Sequence, residues 1–294
     1  MPHRITFAQN FVVKNYLSLI KFSHTIFAMP FAIVGFFLAI ESGGSFSWQK
    51  LVLVVLCMVF ARSAAMAFNR YIDRAFDAQN PRTKIREIPA GIISEKSALF
   101  FVLLNCGLFI ISTFFINSIC FYLSPVALAV ILGYSYTKRF TALCHLVLGL
   151  GLSLAPIGAF LAVKGQFEWL PILLSFTVLF WVSGFDIIYA LQDEEFDKGL
   201  KLNSIPVKFG KKGALNVARF LHILSFSFLL IFALMGKFSW PFWIGFTIYS
   251  SMLVFQHTLV KPHDLSKVNL AFMTTNGIAS VVFSVFYLLD YFLF

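Results

Sequence analysis

The chain has 294 residues, of which 59% are hydrophobic and 12% charged, against about 45–50% and about 25% in an ordinary soluble domain. So little charge cannot cover a water-facing surface, and the 38 phenylalanines are cheap to leave in lipid and costly to expose to water. An ordinary soluble enzyme is excluded in favour of a polytopic membrane protein. The net charge of +10 could suggest nucleic acid, but the basic residues sit in short loops between apolar runs, which argues against that partner.

In chain order, the first sixteen residues are polar and the apolar run behind them has no small-residue cleavage site. They read as a retained cytosolic leader. Stretches of about 20 mostly apolar residues predict nine spans, at 22–40, 49–68, 97–116, 119–137, 142–162, 168–188, 213–235, 240–260 and 268–290. Only Asn117 and Ser118 separate the third span from the fourth. Gly43-Gly44, Lys164-Gly165 and Gly236-Lys237 mark tight turns, and Pro30, Pro125 and Pro156 predict kinks. No linker is long enough to divide domains, so residues 1–294 read as one integral-membrane unit. Cys57, Cys106, Cys120 and Cys144 lie singly in apolar stretches and read as free thiols.

Nineteen of the 23 Lys and Arg residues fall on one side of this topology, in the leader, in loops 69–96 and 189–219, at Lys138-Arg139 and at Lys261 with Lys267. Lys50, Lys164 and Lys237 fall on the other. The positive-inside rule then places the N-terminus and both long loops in the cytoplasm and the C-terminus outside, in a cell inner membrane.

Acidic residues gather beside the two long loops. Asn69, Asp73 and Asp77 recur every four residues and form one stripe on a helix, about 6 Å apart along its axis. Asp186, Asp193 and Asp197 fall within about 40° on a helical wheel. Asp73 and Asp193 are 120 residues apart, as are Asp77 and Asp197, which fits a duplicated half-structure. Stacked carboxylates repel, and near a helix C-terminus they oppose its dipole, so two such clusters call for a cation. Hard oxygen donors suit Mg²⁺ completed by phosphate oxygens, and an apolar bundle around them can hold a hydrocarbon. A diphosphate carrying a lipid tail is the inferred substrate. Arg82, Lys84 and Arg86 after the first cluster, and Lys201 and Lys208 after the second, could grip its phosphates or serve as positive-inside anchors. Arg62 is a charge inside a span, which costs roughly 2.5–3.5 kcal/mol unless it faces a cavity or partner. It lies seven residues before Asn69, on the face that points at the proposed site. His24 reads as a cavity-lining or interfacial residue. His145, His257, Asn269 and Asn276 read as helix-packing residues.

The stretch NRYIDRAFDAQNPRTKIREIPAG, residues 69–91, resembles the first Asp-rich motif of the UbiA-type intramembrane aromatic prenyltransferases, with Arg70 in place of the usual Asp and REIPAG in place of an RPL-type ending. Asp186, Asp193 and Asp197, followed by SIPVKFG, resemble the second motif, and Tyr134 to Lys138 resembles a Y-x-x-x-K element. The resemblance implies an all-helical fold of nine spans around a central cavity, capped on the cytoplasmic side by two Asp-rich loops. It implies Mg²⁺ held by Asp73, Asp77, Asp193 and Asp197 with Asn69 assisting, and Asp186 near the second site. Arg82, Arg86 and Lys138 would contact diphosphate with Tyr134 nearby, while Arg62, and with it His24, would lie by the aromatic acceptor. The implied reaction moves a polyprenyl group from its diphosphate to a ring carbon of 4-hydroxybenzoate, or of a dihydroxynaphthoate on a menaquinone route. A secondary transporter of an anionic solute is the distant alternative, although transporter sites lie near mid-membrane. Beyond the two substrates and the bilayer, no nucleic acid and no obligate protein partner is implied.

Overall fold

The computed structural model describes residues 14–21 and 27–294. They are all-helical apart from a single bridge between Lys261 and Asp264. After a short helical stretch over 14–19 come α1 (Met29–Glu41), α2 (Trp48–Gln79), α3 (Glu95–Ile116), α4 (Ser118–Thr137), α5 (Cys144–Lys164) and α6 (Trp169–Ala190). A 3₁₀ turn (Leu191–Asp193) leads into α7 (Glu194–Gly199), α8 (Ile205–Gly236) and α9 (Trp240–Leu259). A π-helical stretch (Leu270–Thr275) then runs into α10 (Asn276–Leu293). Ser47, Ser94 and Ser204 cap the starts of α2, α3 and α8 by accepting from the N–H of Lys50, Ser97 and Val207, each worth about 1 kcal/mol.

Among the described residues, seven helices are long and apolar enough to cross a bilayer, α6 counted with α7 and α10 with its π segment. The first and eighth predicted spans differ from the rest. Helix α1 has 13 residues, about 20 Å, because Pro30 stands in its first turn, so this proline starts a helix instead of kinking one. Residues 22–26, and His24 with them, lie outside the described residues. Helix α9 has the length, 20 residues, but its Trp, Tyr, Ser, Gln and His side chains make it less apolar. The two basic loops are shorter than expected, since α2 continues through the first acidic cluster to Gln79 and α8 begins at Ile205. Asn117 does divide the third span from the fourth. Its backbone is extended, its Oδ1 caps Cys120 N, and its Nδ2 donates to Leu161 O and Ala162 O.

Helix α6 is the central strut, packed between α5 and α8. Its Trp181 is fully buried among Phe31, Phe185 and Tyr249 and donates Nε1–H to Asn276 Oδ1 at 2.9 Å. Asn276 thus packs helices together, as its sequence position suggests. Two close approaches demand glycine. A Cβ on Gly35 would lie 2.1 Å from Pro156 O, where α1 crosses α5. One on Gly149 would meet Leu179 O at 2.4 Å and Ser183 Oγ at 2.3 Å, where α5 crosses α6. The second contact sits one turn from His145 and from Asp186, so it fixes how near those two side chains come. Away from this core, Phe100, Leu103, Phe114, Phe115, Tyr122 and Val126 on α3 and α4 stay exposed, the surface expected of helices that face lipid.

Candidate functional site

Both acidic clusters open onto one polar cavity of about 230 Å³ between the ends of α2, α4, α5 and α6 and the segments that follow them. Asn69, Asp73 and Asp77 reach it from successive turns of α2, and Asn69 Nδ2 donates to Asp73 Oδ2 at 3.2 Å. The second cluster is not a single helical stripe. The 3₁₀ turn at Leu191–Asp193 breaks the helix after Asp186, so Asp193 and Asp197 arrive from the turn and from α7. All three still line the same cavity. The backbone accomplishes by turning what the helical wheel attributed to periodicity.

Every aspartate of the two expected metal sets holds a basic side chain. Arg82 grips Asp193 with two bonds, Nε to Oδ1 at 3.1 Å and Nη2 to Oδ2 at 2.5 Å, and donates to Tyr189 Oη at 3.1 Å. Partial burial works against the Arg82 charge, but the Asp193 carboxylate and Tyr189 outweigh it and hold the guanidinium above its ordinary pKa. Arg86 Nη1 lies 2.6 Å from Asp77 Oδ1, and Lys138 Nζ lies 2.6 Å from Asp197 Oδ1. Arg139 Nη2 donates to Asp73 Oδ1 at 2.9 Å. Asn203 N donates to Lys138 O at 2.7 Å, which ties the end of α4 to the segment before α8.

Of the basic residues expected here, Arg82, Arg86 and Lys138 line the cavity and Lys84, Lys201 and Lys208 do not. Three residues were missed. Arg139 counted only as an orienting charge, although it adjoins Lys138. Tyr189 lies three residues after Asp186 and four before Asp193, a helical spacing that could have found it. His145 looked like a packing histidine, yet it lines the cavity with Nδ1 2.7 Å from Asp186 Oδ2.

A second cavity, about 380 Å³ and mostly apolar, adjoins the first. Tyr134 and Leu148 line both. Its walls come mainly from α2, α3, α4 and α5, and three of its lining residues, Leu123, Val126 and Phe167, are exposed. Arg62 lies here, not in the polar cavity, because seven residues on a helix also advance it about 10 Å along the axis from Asn69. Its Nε has no hydrogen-bond partner, and Tyr134 is its electrostatic neighbour. Tyr134 and Leu148 thus mark the neck where a charged chamber lies against an oily one.

The sequence pattern of the UbiA prenyltransferase family matches residues 28–278. The 4-hydroxybenzoate octaprenyltransferase of Alcanivorax borkumensis is 32% identical over 251 residues, covering 83% of this chain and 84% of that protein. That of Aliivibrio fischeri is 29% identical, covering 84% and 85%. Among solved structures, a UbiA homolog from Aeropyrum pernix K1 in its apo state superposes with a TM-score of 0.78 at 27% identity, covering 91% of this chain and 96% of that one. A UbiA homolog from Archaeoglobus fulgidus bound to DMAPP and Mg²⁺ shares the fold, with a TM-score of 0.73 at 21% identity over 95% of this chain and 100% of that one.

Proposed function

The chain belongs to the UbiA prenyltransferase family, and from that premise we propose that it transfers a polyprenyl group from polyprenyl diphosphate to a ring carbon of 4-hydroxybenzoate, at the cytoplasmic face of an inner membrane. The observation that carries this reading is the pair of adjoining cavities, one lined by aspartates and basic side chains and the other mostly apolar. The names of the 4-hydroxybenzoate relatives support the choice of acceptor.

The residues present fit Mg²⁺. Asp77 Oδ2 and Asp197 Oδ2 are buried with no hydrogen-bond partner, and the donor set is all carboxylate and amide oxygen. Among the described residues no three carboxylate, histidine or cysteine side chains converge into a ready-made cage. That agrees with an ion bound through one or two carboxylates and completed by substrate phosphate. Asp73 and Asp77, with Asn69 assisting, would hold one ion, and Asp193 and Asp197 would hold a second. Bound there, Mg²⁺ would neutralise charge building on the departing diphosphate.

Arg82, Arg86 and Lys138 supply positive charge beside the same oxygens, and arginine forks suit phosphate. Cleavage of the C1–O bond leaves an allylic cation at the neck, where the Tyr134 ring faces it with little water at hand. The tail runs into the apolar chamber. There Arg62 pairs with the acceptor's carboxylate and sets the carbon ortho to the hydroxyl against C1.

Purified protein given Mg²⁺, a polyprenyl diphosphate and an equal mixture of 4-hydroxybenzoate and the 1,4-dihydroxynaphthoates should yield prenylated 4-hydroxybenzoate by mass spectrometry, and none with EDTA. A naphthoate product alone would reassign the acceptor. Asp73→Ala and Asp193→Ala should each lose more than about 99% of activity while staying folded. Full activity in both would remove the metal assignment.

A further inference from the structure

Five aspartates line the polar cavity. Four of them hold an arginine or a lysine. Asp186, among the described residues, holds neither. Its Oδ2 is 2.7 Å from His145 Nδ1, and among the described residues its Oδ1 takes no hydrogen bond. His145 is almost wholly buried, whereas the Asp186 carboxylate is 23% exposed to the cavity. The second imidazole nitrogen fixes the tautomer. His145 Nε2 faces the backbone N–H of Ile205 at 3.4 Å, and that group can only donate. Nε2 is therefore the acceptor, and Nδ1 carries the proton and donates it to Asp186. With the proton on Nδ1 and none on Nε2, the pair keeps one negative charge on a carboxylate that lines the cavity. Tyr134, at the neck, is an electrostatic neighbour of Asp73 and of Asp186.

The other four aspartates are each engaged by a guanidinium or an ammonium, whereas Asp186 is held by the His145 imidazole alone. Electrophilic attack on an aromatic ring must end in loss of a ring proton, and the acceptor of that proton has to lie near the neck.

We infer that Asp186 takes the proton lost from the acceptor ring and that His145 is a positioning residue that holds Asp186 for it, an inference that rests on the function proposed above. The C1–O bond breaks and its electron pair leaves with diphosphate. The ring carbon ortho to the hydroxyl bonds to C1, and the C–H pair returns to the ring. The proton passes to Asp186 Oδ1 and from there to water. Gly149, one turn after His145, permits the close crossing of α5 and α6 on which this contact depends.

The experiment uses the full chain in detergent with Mg²⁺, polyprenyl diphosphate and 4-hydroxybenzoate carrying hydrogen or deuterium at the positions ortho to the hydroxyl. With C1–O cleavage limiting, the wild-type protein should show kH/kD near one. His145→Leu should lower kcat about tenfold to a hundredfold, leave the KM for the diphosphate unchanged, and raise kH/kD to about two or more as proton loss becomes limiting. His145→Asn, which keeps an N–H donor near the place of Nδ1, should recover to within about threefold of wild type. Asp186→Asn should lower kcat at least as far as His145→Leu and retain acceptor-independent release of diphosphate. Equal damage in the Leu and Asn variants with kH/kD still near one would make His145 merely structural and overturn the inference, as would an Asp186→Asn protein of normal kcat. Where His145→Leu fails to fold, Asp186→Asn and the Asn variant decide alone. A wild-type protein that prenylates none of the acid acceptors sinks the underlying reading instead, so the two failures are distinct.

Discussion

At the scale of single residues, Arg62 carries the sharpest prediction. A guanidinium in a largely apolar wall with an unpartnered Nε is costly to keep in a span, and a carboxylate-bearing acceptor offsets that cost. Arg62→Ala should raise the KM for the acceptor about tenfold to a hundredfold, the worth of one charge-assisted pair, and change the KM for the diphosphate by less than about threefold. Steady-state kinetics with each substrate varied in turn decide it, and an unchanged acceptor constant would remove Arg62 from that role. This residue also marks what sequence can and cannot say. Its charge inside a span announced a cavity, but the wheel alone aimed it at the polar cluster, and only the rise per residue along α2 moves it into the neighbouring chamber. Asp73, Asp77, Asp193 and Asp197 were legible because charge is rare in this chain and theirs is periodic. His145 was not, because one histidine in an apolar run reads the same whether it packs a helix or holds a carboxylate.

At the scale of elements, α8 shows where local chemistry governs the shape of the site. The helix starts at Ile205, behind the cavity-lining Ser204, and then breaks at Gly210 with φ 66° and ψ 173°, a region essentially reserved for glycine. A Cβ at Gly210 would meet nothing within 4 Å, so a side chain there would cost backbone strain alone. Gly210→Ala should therefore destabilise the protein by about 1–3 kcal/mol, read as a lower unfolding midpoint in detergent. It should also weaken transfer, since the turn carrying Ser204 and Ile205 N, the donor to His145, would shift. An unchanged midpoint would mean that the break relaxes into continuous helix at no cost. The long apolar helices were readable from composition, and so was the Asn117 boundary, because one asparagine with no neighbouring charge can still end one helix and cap the next. The 3₁₀ turn at Leu191–Asp193 was not readable. Nothing in Leu-Gln-Asp forbids an α-helix, and the contact that Asp193 makes at this turn is with Arg82, from a distant segment of the chain.

At the scale of the whole molecule, two cavities adjoin, and the boundary between them is the feature most open to test. Sequence showed that polar residues cluster at one end of the bundle. It could not show that an apolar chamber opens beside them, because that chamber is the space left between α2, α3, α4 and α5, and such a gap is a property of packing. Leu148 borders both cavities from α5. If the diphosphate rests among the aspartates and the tail lies in the chamber, every carbon beyond the first few must pass this side chain. Leu148→Trp adds a bulky ring at the neck without adding charge. It should leave a five-carbon donor nearly as good as before and reduce kcat/KM for a long polyprenyl donor by about tenfold or more, since forcing extra volume into a packed passage costs about 1–3 kcal/mol. The measurement is a donor-length series at fixed acceptor, with the variant's unfolding midpoint as a check on its fold. Equal losses at all lengths would place the tail elsewhere, along the exposed faces of α3 and α4. A loss that grows with length would fix the neck between Tyr134 and Leu148 as the point where the charged half of the substrate ends and its hydrocarbon half begins.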